Sequence, residues 1–580
     1  MQPAISPRVL ALHRCLLPKP FLSPTVAAII FRRRHICSSP GTATFQDREY
    51  ATITEGQATI LFPTNNEVFY NPVQQFNRDM SIAAIRTWRD IVAEERWARQ
   101  LKKNKSEQTV EEAKAAGEQV PVFRPKILEA LAASGLRSVR YAKEIPDLDH
   151  ILCNDLDPEA VESIKRNVEF NELSTDLLRP NLGDAKVVMY QHMEHAKQYH
   201  VVDLDPYGTA SPFLDAAVQS VTDGGLMCIT CTDMQVLAGS NFVESCFTKY
   251  GGMPLKADFC HEMALRLLLG AVMTTAARHK RLAEPILSCS IDFYIRVFVR
   301  IRDQPIEVKK TASKLSLVYQ CQGCKDFSMQ PMGKVSEDGK KFGIASHKVG
   351  SECAQCGKQF HIGGPAYNGP IHNKEFVKRM LGHVKASKDA YGTSTRMQGM
   401  LTVISEEIDA PLYRSLRELT TAVHCNSISL NDIGSALLNA GHQFSISHAS
   451  PTSVKTDAPS SVVWDIIRAH ARRTNAKEQP EGSVARAIMS KESGITVDFK
   501  YHKKCNPPSR KIKLVRFQEN PTKHWGPKAR AGGKKRSKAD EDAAGAPAAA
   551  NKKARSEAAD ATLSSPSPPR WSKAGGQRHG

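Results

Sequence analysis

Between Pro125 and Pro212 the chain repeats one unit: a short apolar run, an acid at its carboxyl end, then a stretch of helical periodicity. KILEALAASGLRSVRYAKEI opens the series. HILCNDLDP sets Asp155 at the end of its run, NLGDAKVV sets Asp184, and HVVDLDPYGTASP ends in Asp203, Leu204, Asp205, Pro206 and Tyr207. Apolar runs that alternate with helices form a mostly parallel sheet covered by helices. In such sheets ligands bind beyond the carboxyl ends of the strands, where strand ends and helix starts leave a crevice. The acids therefore mark the functional edge.

The loop after Glu129 narrows the choice of cofactor. Asp155 follows Gly135 by 20 residues, the distance at which nucleotide-binding sheets set an acid against ribose hydroxyls; a helix-capping or surface acid is the other reading. Ala132, Ala133 and Ser134 stand where a dinucleotide fingerprint has glycines, which disfavours a pyrophosphate packed on the backbone. A cofactor with adenosine but no phosphate fits better, namely S-adenosylmethionine. Asp157 and Pro158 read as the N-cap and first residue of a helix. An Asp-Pro-aromatic triplet can stack a flat ring on the aromatic while the carboxylate accepts hydrogen from an amino group, which suits methylation of an exocyclic amine. The same triplet before glycine is also common turn punctuation.

Further on, GGLMCITCTDM reads as another strand, ADFCHEMALRLLLGAVMTTAARH as a long amphipathic helix, and ILSCSIDFYIRVFVRIRD as one apolar strand. Together they predict a sheet of roughly seven strands, the last at an edge. The catalytic domain spans 47–306 in this reading, with a solvated, charged helical insertion or loop at about 92–120.

Cys321, Cys324, Cys353 and Cys356 form two C-x-x-C pairs separated by 28 residues. Each pair can direct two thiolates at one ion, and two pairs close a tetrahedral structural zinc site with no open position. Unmetallated thiols or a redox pair are the alternatives, and the other cysteines read as plain buried thiols. The region 307–505 reads as an α+β domain around that site.

The net charge of +19 lies at the ends, because residues 1–46 hold six bases and no acid, and 501–580 hold nineteen bases against six acids. The leader, 1–46, resembles a mitochondrial presequence or a dispensable disordered leader. The tail, 506–580, lacks apolar periodicity, and its KKRSK and NKKAR runs suit nuclear import or RNA phosphates. The expected locations are therefore mitochondrion and nucleus, with the cytoplasm also open. No run of about 18 apolar residues suits a membrane span.

The segments EVFYNPVQQFNRDMS, LEALAASGLRSVR, CNDLDPEAV, LGDA, VDLDPYGTASPF, SIDFYIRVFVR, ISEEIDAPLY and HASPTSVKTDAP, with the cysteine quartet, closely resemble the tRNA (guanine-26-N2) dimethyltransferases. The resemblance runs from about Ile53 to Arg473. It implies a Rossmann-like class I methyltransferase sheet, S-adenosylmethionine as cofactor, tRNA as partner and no obligate protein partner. It implies that Arg78, Arg137, Asp155, Asp184 and Ala185 contact the cofactor, that Asp205 is the catalytic acid of the triplet, and that Phe69, Pro206 and Tyr207 hold the guanine. It also implies that the C-terminal zinc-containing domain binds tRNA. Two other functions compete: the same chemistry on another amine, such as adenine N6 or a glutamine amide, whose sites usually carry Pro-Pro-aromatic; and a tRNA chaperone with an idle site.

Overall fold

The computed structural model describes residues 41–63, 70–104, 108–512 and 515. An antiparallel meander comes first, β1 (Gly41–Phe45), β2 (Arg48–Glu55) and β3 (Ala58–Pro63). The helix α1 (Gln75–Lys103) follows, then the short α2 (Val110–Ala115). The alternating region is β4 (Lys126–Glu129), α3 (Leu136–Glu144), β5 (His150–Asp155), α4 (Pro158–Phe170), β6 (Leu178–Leu182), α5 (Ala185–Gln191), β7 (Tyr199–Leu204), α6 (Leu214–Ser220) and β8 (Val221–Cys231). Two of these helices, α4 and α5, start at Asp side-chain caps. Asp157 accepts from the Glu159 N–H with Pro158 behind it, and Asp184 accepts from the N–H groups of Lys186 and Val187. Such caps contribute about 1 kcal/mol each.

The main sheet has seven strands in the order β6-β5-β4-β7-β8-β10-β9, the first five parallel. The order reverses between β4 and β7, so the loops after these two strands diverge and open a crevice there. The segment ILSCSIDFYIRVFVRIRD departs from the single strand expected of it. It is a hairpin, β9 (Leu282–Ile291) and β10 (Tyr294–Arg302), with β9 at the edge and β10 antiparallel to β8. Asp292 takes a positive φ of 44° at the turn, a conformation that Asp tolerates better than most residues.

The charged region is largely helical, as one of its two readings has it, but it is not wholly solvated. Residues 92–103 are the last turns of α1, and Trp97 is buried with Val110 and Ala113 in a small core of their own.

Past the sheet, β11 (Leu315–Cys321), β12 (Phe327–Pro331) and β15 (Phe360–Tyr367) form a three-stranded sheet, with the separate hairpin β13 (Gly333–Val335) and β14 (Phe342–Ile344) between. The helices Lys374–Ala386 and Ser394–Glu406 then return to the first half. Phe376, Met380, Met397 and Leu401 share one apolar core with Phe76 and Met80 of α1 and with Ile127 and Ile151 of the sheet. The boundary expected near Ile306 therefore ends the sheet without ending the core.

A buried ion network also ties the two halves. Lys455, from the KTDAP segment, donates to Glu262 at 3.1 and 3.2 Å and to Glu407 at 2.9 Å, while Arg266 donates to Glu262 at 2.7 Å. Two acids face two cations, so the network is balanced as it stands. Removing one member would leave a buried charge unpaired, which costs about 3–5 kcal/mol.

Candidate active site

At the carboxyl edge of the sheet, over the β4/β7 reversal, lies a cavity of about 560 Å3. Its wall contains Arg78, Arg137, Asp155, Asp184, Ala185, Asp205, Pro206 and Tyr207. These are all the described residues that the sequence singled out for cofactor, catalysis and base. Phe69 lies outside the described residues.

The sides of the cavity differ in chemistry. On one side the β4 loop turns tightly, with Ala133 at φ 49° and Gly135 at φ 75°. A Cβ on Gly135 would come within 3.1 Å of Ile164, so α3 and α4 pack closely only with glycine here. The Asp155 carboxylate accepts from the Ala133 N–H at 2.8 Å and the Asp157 N–H at 3.0 Å, which fixes it at the strand end. Asn154, beside it, donates to the carbonyls of Ala130 and Gly183 and so clips the first turn to the third. Leu156 adds an exposed apolar surface. One acid, apolar neighbours and no glycine-lined phosphate cradle fit an adenosine with a free ribose.

On the other side Asp205 lies in a charged layer. Arg137 pairs with the Asp205 carboxylate and bonds Ser81 at 3.1 Å and Asn77 at 3.3 Å; its Nε lies 3.4 Å from Glu129. Behind it Arg296 grips Asp203 with two bonds of 2.8 and 2.9 Å and also reaches Thr230 and Ser81, while Tyr141 donates to the same Asp203. Burial alone would raise Asp203, but Arg296 and Arg137 hold its carboxyl below the usual range. Burial instead pushes Glu129 up to about 8, against the pull of Arg137. A neutral Glu129 leaves two carboxylates, Asp203 and Asp205, against two guanidiniums. Asp205 is the most open acid of this layer, its side chain 19 % exposed against 4 % for Glu129 and 0 % for Asp203.

Arg78 is likewise committed. It pairs with Glu55 of β2, its Nε at 2.7 Å, and donates to the Asn71 carbonyl at 3.2 Å; Tyr70 donates to the same Glu55 at 2.9 Å. The meander thus positions an arginine at the cavity wall.

Sequence reasoning did not single out Glu55, Asn77, Glu129, Tyr141, Asn154, Thr232 or Arg296. Thr232 holds the triplet's turn, its hydroxyl accepting from the Gly208 N–H at 2.8 Å. The β9–β10 hairpin adds Phe293 and Tyr294 to the wall. Tyr207 and Phe293 are both substantially exposed, so broad ring faces stand near Asp205 at the mouth.

The four cysteines are buried together, with Cys321 and Cys356 sulfurs 3.3 Å apart and those of Cys324 and Cys353 3.6 Å apart. All four ligand atoms lie within 4.8 Å of one another. Four converging thiols and no carboxylate suit zinc in a closed site. A second trio, His372, Glu407 and His448, also converges; His372 accepts from the Ser288 N–H at 3.3 Å while its Nε2 is buried without a hydrogen-bond partner among the described residues, and the other two members are engaged. Glu407 is bonded by Lys455 and His448, and the Ser290 N–H faces the His448 Nε2 at 3.3 Å.

Comparison with known proteins agrees with this geometry. The family model described as N2,N2-dimethylguanosine tRNA methyltransferase matches residues 49–468. A tRNA (guanine(26)-N(2))-dimethyltransferase of Mus musculus is 44% identical over 541 residues, covering 87% of this chain and 81% of the relative. Its counterpart in Schizosaccharomyces pombe is 44% identical, covering 83% and 93%, and a mitochondrial one in Saccharomyces cerevisiae is 40% identical, covering 83% and 92%. Among solved structures, Trm1 from Pyrococcus horikoshii with S-adenosyl-L-methionine is similar with a TM-score of 0.57 and 25% identity, covering 72% of this chain and 99% of that one.

Proposed function

Because the chain belongs to the N2,N2-dimethylguanosine tRNA methyltransferase family, it methylates N2 of guanine 26 in tRNA, and we propose that Asp205 is the proton acceptor of that reaction. S-adenosylmethionine, when bound, supplies a methyl group on a sulfonium that the guanine amine displaces in line. Asp155 would hold the ribose hydroxyls, and Asp184 with Ala185 the adenine. Arg78, anchored by Glu55, and Arg137, held by Ser81, Asn77 and Asp203 as well as Asp205, would take the methionine carboxylate.

The amine is a poor nucleophile because its lone pair is delocalised into the ring. It needs alignment and a partner for its proton. The Asp205 carboxylate bonds one N2–H, turns the lone pair toward the methyl group and takes the proton as positive charge develops on nitrogen. Arg137 keeps that carboxylate in one orientation. Tyr207 stacks on the ring, with Phe69, which lies outside the described residues, assigned to its other face, and Pro206 stiffens the turn that carries Tyr207. To reach them guanine 26 must leave its stack, at a cost of a few kcal/mol. The observation that carries this reading is the convergence of Asp155 and the Arg137–Asp205 pair on one cavity.

The zinc-containing C-terminal region, taken here as 307–505, grips the tRNA, largely through phosphates and 2'-hydroxyls. The leader's bases, all before residue 41, and the tail motifs KKRSK and NKKAR lie outside the described residues and suit import into mitochondrion and nucleus, although the last residues read as leader, Gly41–Phe45, form β1; the mitochondrial yeast relative supports the first location.

Cofactor titration by calorimetry tests the division of labour. Asp155→Ala is expected to weaken S-adenosylmethionine binding about tenfold to a hundredfold, the value of one or two charge-assisted hydrogen bonds. Asp205→Asn is expected to leave it near wild type. Equal losses in both variants would contradict separate cofactor and base sides.

A further inference from the structure

Between the two cysteine pairs the chain runs out into the hairpin β13–β14, whose strands pair with each other in the register Gly333↔Ile344, Lys334↔Gly343 and Val335↔Phe342 and join no larger sheet. A two-stranded ribbon is marginal unless something covers it. Its base packs against Ala312 and Ser313 at the buried Gly333, and the rest of its surface is unusual for an exposed ribbon. Lys334, Lys340, Lys341 and Lys348 are exposed, and among them stand Ile344, 87% exposed, together with Met332 and Phe342.

Glu337 and Asp338 offset two of these four charges and leave the segment basic. Asp338 is held at the turn, accepting from the Lys340 N–H at 3.1 Å and from the Ser336 hydroxyl. Lysine on an edge strand also serves to block pairing with other chains. That role calls for charge in place of bulk, whereas here large apolar side chains remain bare beside the ammonium groups. Ammonium groups interleaved with a ring and aliphatic surface match an RNA loop or helix end, which offers phosphates and unstacked bases together.

We propose that the hairpin Gly333–Ile344 is a tRNA contact, with Lys334, Lys340 and Lys341 on phosphates and Phe342 against a base or ribose. The proposal rests on the reading of the chain as a tRNA enzyme and assigns to one ribbon a grip that the C-terminal region as a whole was expected to provide. Because its side chains are exposed, they can be changed without disturbing a core.

The test uses full-length, zinc-loaded protein and an unmodified tRNA transcript. Lys334→Gln, Lys340→Gln and Lys341→Gln combined, and Phe342→Ala alone, are compared with wild type for tRNA affinity between about 50 and 200 mM salt. For the triple variant the affinity at the lower salt is expected to fall at least tenfold. The slope of log affinity against log salt should become shallower by about 2–3, as the loss of three phosphate contacts requires. Phe342→Ala should weaken affinity with the slope unchanged. Cofactor affinity, and kcat at saturating tRNA, should stay at wild-type values in both. An unchanged affinity and slope in the triple variant would overturn the proposal, as would a loss of tRNA affinity accompanied by a loss of cofactor affinity. A wild-type protein that fails to methylate the tRNA would instead count against the underlying reading of the enzyme.

Discussion

Asp205→Asn should lower kcat for methyl transfer about 10²- to 10⁴-fold, the usual value of a positioned proton acceptor. Asparagine keeps the shape of the side chain and removes the anion. The protein should remain folded, because Arg137 retains Ser81, Asn77, the nearby Glu129 and, at 3.8 Å, Asp203. Single-turnover transfer with excess enzyme reads the chemical step directly. If the rate stayed within a few fold of wild type, the acceptor would lie elsewhere. Asp203 is a poor substitute, since it is fully buried and held by Arg296 and Tyr141. Glu129 also lines the cavity, but burial keeps it protonated up to about pH 8. Asp205 is thus set apart by its openness rather than by its charge alone.

The second large effect concerns the cysteine quartet. The four sulfurs belong to the same buried cluster as Leu416, Ile433, Trp464 and Ile467. Binding a structural ion at such a site is folding free energy. Cys321→Ser should abolish stoichiometric zinc, measured by atomic emission, and lower stability on the order of 5 kcal/mol or more, since zinc sites in small domains contribute about 10–16 kcal/mol. A strong chelator should do the same to wild type and little further to the variant. The site lies apart from the residues that line the cavity, so cofactor binding should survive until the protein unfolds. Purified wild type without zinc, and equally stable with or without chelator, would contradict the assignment.

The parts of this molecule that sequence made legible are those whose chemistry is local. An acid at the end of a β-branched run, a proline at the start of a helix and two C-x-x-C pairs each state their geometry within a few residues. Asp155, Asp184 and Asp205 line one cavity because parallel strands bring their carboxyl ends together. What remained hidden depends on distant partners. Glu55 holds Arg78 from a meander that carries no motif of its own, and Arg296 looked like one more basic residue in an apolar strand until Asp203 was seen to face it. The β9–β10 hairpin was unreadable because Asp292 and Phe293 interrupt an apolar run without the glycine or asparagine that usually marks so tight a turn. Residues 92–120 read as solvated by composition, yet within them Trp97 is buried by Val110 and Ala113. Lys455 was recognised only as part of the KTDAP motif. Its role as the buried counter-ion of Glu262 and Glu407 follows from contacts nearly 200 and about 50 residues away in sequence.

The central claim is a single reaction at a single atom, and one experiment addresses it most directly. Labelled S-adenosylmethionine is supplied with two tRNA transcripts that differ only in guanine or adenine at position 26, and the product nucleosides are separated. The account predicts N2,N2-dimethylguanosine from the first transcript and no transfer to the second. Label on both transcripts, or on neither from folded and zinc-loaded protein, would contradict it.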